Sequence, residues 1–139
     1  MNTKKGFTII ELIVVIAIIA VLAGIVMVNV TKYIKQSKDA AIKHEMAQLK
    51  VAATQYYDEK GFYLNVGGSQ SIMSPGTEVE KIRAAIEGQG ATSPGYSVTA
   101  NAYCFNYTLN DGSFYCIDSS GFLGSGKFCS PSDVCVPVP

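Results

Sequence analysis

Glu11 is a lone carboxylate in an otherwise apolar run from Phe7 to Val28, broken elsewhere only by Thr8 and Gly24. In a membrane helix such a group costs roughly 2.5–3.5 kcal/mol, so it needs a partner. No Lys, Arg or His lies between Phe7 and Thr31, which points to a partner outside the segment. A cut after Gly6 gives Phe7 a free α-amino group four residues from Glu11, about one helical turn. In an array of parallel helices, the Glu11 of one subunit then meets the Phe7 amine of the next.

The second group is Cys104, Cys116, Cys129 and Cys135, all beyond residue 103. In a domain exported across a membrane, an even count reads as two disulfides. The rival is a zinc site of four thiolates, but the spacing contains no C-x-x-C. Four cysteines allow three pairings. A two-residue Asp111-Gly112 turn pairs Asn110 with Ser113 and puts Cys104 and Cys116 on opposite faces of a sheet. A three-residue loop would return them to one face. The preferred pairing is Cys116–Cys129 with Cys104–Cys135, which ties the Pro-rich tail to the sheet. Asp111, Asp118 and Asp133 are candidate calcium ligands, without EF-hand spacing. His44, the single histidine, sits among charges as a surface residue, and no nucleophile–base constellation is visible.

Eleven Lys+Arg balance eleven Asp+Glu, which removes the basic surplus expected of a nucleic-acid partner. The chain is 48% hydrophobic and 16% charged, and the excess is concentrated in Leu12–Val28, where every residue is apolar or Gly. A helix from Phe7 to Val28 is about 30 Å long, enough to cross a bilayer. Lys4 and Lys5 before the span favour a cytoplasmic N-terminus, while Lys32, Lys35, Lys38 and Lys43 weigh the other way. A secretory signal peptide has a shorter apolar core and an A-x-A site after it, and neither is present.

The positioning elements follow from periodicity. Ile34, Ile42, Met46, Leu49, Ala53 and Tyr56 make one apolar stripe, with no Gly or Pro between Gly24 and Gly61. One helix is therefore expected from about Phe7 to Lys60. Thr77 and Glu80 form a capping box for a short helix that ends at Gly88, with Val79, Ile82, Ala85 and Ile86 inward. Tyr96–Ala100, Tyr103–Leu109 and Phe114–Asp118 read as strands, the second half-buried, and Lys127–Cys129 as a last short one. The fold class is α+β, a long N-terminal helix packed on a small C-terminal antiparallel sheet.

The stretch Lys4-Lys5-Gly6-Phe7-Thr8-Ile9-Ile10-Glu11-Leu12 resembles the leader and cleavage site of type IV pilins and type II secretion pseudopilins. The resemblance is close over roughly residues 1–35 and architectural beyond. It implies cleavage between Gly6 and Phe7 by a membrane prepilin peptidase, and N-methylation of Phe7. It implies a homopolymer, built from the inner membrane by an assembly platform, with the apolar helices as its core and Glu11 in the assembly contact. The expected parts are a leader at 1–6, a transmembrane and filament-core half-helix at 7–31, and an extracytoplasmic head at 32–139. The precursor sits in the bacterial inner membrane; the product is a periplasmic or cell-surface filament. Some pseudopilins bind calcium in a C-terminal loop, which adds to the aspartate candidates; no other cofactor is implied. The small head is like that of pseudopilins and the C-terminal disulfides like those of pilins. Many family members carry a mid-helix Pro, where this chain has only Gly24. The implied role is structural, not enzymatic. The alternative is a membrane-anchored periplasmic binding module, which needs a convergent polar cluster in the head that the sequence does not display.

Overall fold

The computed structural model describes residues 6–130 and 132–137, so Lys4 and Lys5 of the basic leader lie outside the described residues. The chain divides into two compact units, one ending at Ile34 and one beginning at Lys35. Helix α1 (Ile9–Lys60) contributes to both.

In the first unit, α1 is rich in Ile and Val, which are weak helix formers in water. In lipid the helix forms anyway, because every backbone N–H and C=O must be satisfied within the segment. The apolar side chains stand open on all sides, with Ile10 71% and Val21 65% exposed. Among the described residues, this is the one helix long and apolar enough to cross a membrane.

The second unit is built on the other part of α1. Ile42, Met46, Leu49 and Ala53 are fully buried, as their spacing of four, three and four requires. Helix α2 (Glu78–Gly88) starts at Thr77, whose hydroxyl accepts from the Glu80 N–H at 3.2 Å. Val79 and Ile86 are buried, whereas Ala85, expected inward, is exposed. The turn to positive φ falls at Gly90 rather than at Gly88. Arg83 joins α2 to the sheet: its Nε donates to Tyr107 Oη at 3.2 Å and its guanidinium lies over the Tyr96 ring.

Four antiparallel strands, β1 (Thr92–Val98), β2 (Tyr103–Thr108), β3 (Phe114–Asp118) and β4 (Leu123–Ser125), pair in sequence order. A second sheet pairs β5 (Lys127–Cys129) with β6 (Cys135–Pro137). One face of β2 and β3, carrying Tyr103, Phe105, Tyr107 and Ile117, joins the helical core. The other face carries Cys104, Asn106, Cys116 and Asp118, and these are buried too. The expectation of a half-buried β2 is therefore corrected: the strand is covered on both faces, because β5 and β6 are fastened over the second one. Gly95 is opposite Asn106, and a Cβ there would collide with the Asn106 amide. That amide oxygen accepts from the Cys129 N–H at 3.4 Å, so its position is fixed.

The β2–β3 turn also corrects the sequence reading. Leu109, not Asn110, faces Ser113, and the loop has three residues, closed by the Gly112 N–H on the Leu109 carbonyl at 3.0 Å. Gly112 supplies the positive φ that such a loop needs. The reason lies on α1. Asp39, buried on the apolar stripe, accepts from the Asn110 N–H at 2.7 Å, the Asn110 side-chain amide at 2.9 Å and the Asp111 N–H at 3.1 Å. The Asn110 N–H, which a tighter turn would place in the ladder, goes to this carboxylate instead, and the Asp111 N–H joins it there.

Candidate functional site

The residues singled out at the N-terminus sit where α1 begins. Gly6 and Phe7 precede the helix, and the Phe7 side chain is 85% exposed. Thr8 caps the helix. Its backbone N–H and its hydroxyl donate to Glu11 Oε2 at 2.8 and 2.7 Å, and its hydroxyl accepts from the Glu11 N–H at 3.3 Å. This is a reciprocal capping box. In the single chain the Glu11 carboxylate is thus held by a neutral neighbour within the segment. Thr8-Ile9-Ile10-Glu11 is the same T-x-x-E signature that marks Thr77, and it would have shown this. The arrangement leaves a carboxylate at an exposed helix start, one turn from the backbone nitrogen of Phe7, with two donors that another group can replace.

The four cysteines form two disulfides, Cys104–Cys129 and Cys116–Cys135, and no free cysteine is present among the described residues. The preferred pairing Cys116–Cys129 with Cys104–Cys135 is overturned. The three-residue loop shifts β3 by one residue, so Cys104 faces Asp118 and Cys116 faces Asn106. Cys104 and Cys116 therefore share a face, and each is bridged to the strand of the small sheet above it. The bridges link β2 to β5 and β3 to β6.

Asp111, Asp118 and Asp133 are not brought together. Asp111 is exposed in the hairpin, and its carboxylate accepts from the Ser113 N–H at 2.8 Å. Asp133 is buried with positive φ in the loop before β6, and its Oδ1 has no hydrogen-bond partner. Asp118 is 1% exposed and its oxygens are occupied by donors: the Ser120 N–H and hydroxyl, the Phe122 N–H and, at 2.8 Å, the Cys135 N–H. His44 lies exposed beside Gln48.

Burial pushes the Asp118 carboxyl up, but these hydrogen bonds outweigh it and hold the group below its ordinary value of 3.8. A carboxyl held lower in the folded chain than in the unfolded one adds stability that is complete above the unfolded value. That stability is lost as pH falls through the folded one. The detergent-solubilised chain is thus expected to lose stability below about pH 4, and Asp118→Asn to lose less over the same range. Thermal unfolding of both proteins across this range is the check, and parallel curves would contradict the assignment.

Comparison with known proteins finds a family model and several relatives. Residues 1–27 match the family model described as the prokaryotic N-terminal methylation motif. Fimbrial protein EcpC of Eikenella corrodens is 29% identical over 123 residues, 81% of this chain and 80% of that one. A type IV major fimbrial protein FimA of Dichelobacter nodosus is 33% identical over 106 residues, 73% of this chain and 68% of that one. The type IV major alpha-pilin of Moraxella bovis is 46% identical over 52 residues, 37% of this chain and 33% of that one. No solved structure matches. With the N-terminal motif, the α+β architecture and this coverage of a major fimbrial protein, the chain belongs to the type IV pilin family.

Proposed function

We propose that this pilin is cut between Gly6 and Phe7 by a prepilin peptidase, methylated on the new Phe7 amine, and polymerised into a type IV pilus. One observation carries the reading: an exposed apolar helix begins directly after the Gly6-Phe7 junction and carries a capped Glu11 at its first turn. In lipid such a helix is stable alone. In a filament it packs against copies of itself, with the Glu11 carboxylate of one subunit paired to the Phe7 amine of the next. Residues 1–6 act as the removed leader, 7–31 as the membrane and filament-core half-helix, and 32–139 as the extracytoplasmic head. The precursor waits in the inner membrane with its N-terminus in the cytoplasm, and an assembly platform moves it into the growing filament. Lipid is nearly as apolar as the filament core, so the transfer is close to balanced and can run in both directions. The fimbrial and pilin relatives support a surface pilus over a secretion pseudopilus.

Mass spectrometry of the exported protein tests the processing step. The expected N-terminus is Phe7 with one added methyl group. A mature N-terminus near Gly24 would indicate an ordinary signal peptide and overturn the proposal. Gly6 replaced by a bulky residue is expected to leave uncut precursor in the membrane.

A further inference from the structure

The two disulfides are in contact. Cys104 Sγ lies 3.5 Å from Cys116 Sγ and 3.8 Å from Cys135 Sγ, and the sulfurs of Cys104, Cys116 and Cys129 all fall within 4.8 Å of one another. Cys129 and Cys135 are direct cross-strand partners on β5 and β6. Opposed residues of antiparallel strands have Cα atoms about 4.5–5.5 Å apart, within the range that a disulfide spans. A second pairing therefore has one bond within each sheet instead of two between sheets. Cys129–Cys135 joins direct partners, whereas Cys104 faces Asp118 and Cys116 faces Asn106, so Cys104–Cys116 joins a diagonal pair about 7–8 Å apart that must draw closer to be bridged. Access differs too: Cys104, Cys116 and Cys135 are buried, while Cys129 is half-buried.

We propose that the four cysteines form a thiol-triggered exchange switch, in which an external thiol entering at Cys129 converts Cys104–Cys129 and Cys116–Cys135 into Cys104–Cys116 and Cys129–Cys135. The steps balance without an oxidant. The entering thiolate attacks Cys129 Sγ, forms a mixed disulfide and releases the Cys104 thiolate. Cys104 attacks the nearby Cys116 Sγ, forms Cys104–Cys116 and releases the Cys135 thiolate. Cys135 attacks Cys129 Sγ across the β5–β6 ladder, forms Cys129–Cys135 and expels the entering thiolate. The number of disulfides is unchanged and the thiol is regenerated. The outcome is mechanical: β5 and β6 lose their covalent attachment to β2 and β3. Contacts such as the Cys135 N–H on Asp118 and the Cys129 N–H on Asn106 then have to hold them. The switch does not depend on the filament reading.

The test uses the full chain in detergent, with glutathione at about one-tenth of the protein concentration. Exchange is stopped by acid and alkylation, and the disulfides are mapped after cleavage at aspartate under denaturing conditions. Asp111, Asp118 and Asp133 each fall between successive cysteines, so every cysteine lands on its own peptide. The expected result is a rise of at least about tenfold in the Cys104–Cys116 and Cys129–Cys135 peptides over a thiol-free control. Unchanged pairing overturns the proposal, and so does exchange only to Cys104–Cys135 with Cys116–Cys129. The double variant C104S/C129S tests the entry point. Its remaining bridge should react with excess glutathione at least about tenfold more slowly than the same bridge in the parent chain. Equal rates would show that the thiol does not enter through Cys129.

Discussion

Glu11→Val is expected to be cut and methylated normally, to insert into the membrane at least as well as the parent, and to yield almost no filament. Cleavage survives because Gly6 and Phe7 are untouched. Insertion improves because a carboxylate at the start of an apolar helix, even one capped by Thr8, is replaced by an apolar side chain. Assembly fails because the Phe7 amine of the neighbouring subunit is left without its counter-charge in a water-poor core. Stranding one member of such a pair costs roughly 3–5 kcal/mol, which is a factor of about 100 or more per contact. The variant also loses its capping box, so Thr8→Val is the needed control. It removes both side-chain hydrogen bonds of the cap while keeping the carboxylate, and its loss should stay near 1 kcal/mol, less than tenfold in yield. Cleavage, insertion and filament yield are measured together, with the variant as the sole subunit. Normal yield from cleaved Glu11→Val would show that the carboxylate is dispensable. A defect of equal size in Thr8→Val would assign the effect to the cap instead.

Asp39→Ala is expected to destabilise the head by about 2–4 kcal/mol. Three donors, the Asn110 N–H, the Asn110 side-chain amide and the Asp111 N–H, all end on this one buried carboxylate. Hydrogen bonds to a charged acceptor are among the stronger ones, and truncation leaves partly buried donors with nothing to bind. For a domain of this size the loss corresponds to roughly 10–20 °C in Tm. Asp39→Asn keeps the shape but can serve fewer of the donors, so it should fall between. Amide exchange gives the local readout, with Asn110 and Asp111 losing protection first. Removing the exposed Lys60–Glu59 pair, by contrast, should change stability by less than about 1 kcal/mol. An Asp39→Ala protein that melts with the parent would mean that the hairpin is held by its own turn residues.

Asp39 also shows why some of the molecule could be read from the chain and some could not. The long helix, α2 and the alternating strand β2 are encoded in local periodicity, and the N-terminal pattern from Lys4 to Leu12 is local as well. Asp39 carries a local signal too: it falls three residues before Ile42 on an otherwise apolar stripe, which implies a buried carboxylate. Its partner was not implied, because Asn110 is 71 residues away. That distant contact fixes the hairpin at three residues. The hairpin fixes the β2–β3 register, and the register decides which cysteines share a face. A single wrong loop length therefore carried through to the disulfide pairing. Strands β4 and β6 have three residues each, too few for a period of two to be visible. The Thr8 cap is local as well, since its T-x-x-E signature lies within the same N-terminal pattern.

The order of the bridges along the chain bears on how the head responds to being pulled. Cys104–Cys129 spans a separation of 25 residues, so roughly 80 Å of contour is withheld from extension. Cys116–Cys135 spans 19 and overlaps it, because Cys116 lies inside the first loop and Cys135 outside. Tension entering at Cys104 and leaving at Cys135 thus has, besides the full length of chain, two shorter covalent routes through one bridge each. One crosses to Cys129 and follows the short loop to Cys135; the other follows the β2–β3 hairpin to Cys116 and crosses there. Rupture of either bridge leaves the other route intact, and the chain lengthens by a fraction of its hidden contour instead of all of it. Two consecutive, non-overlapping bridges would lack this tensile redundancy.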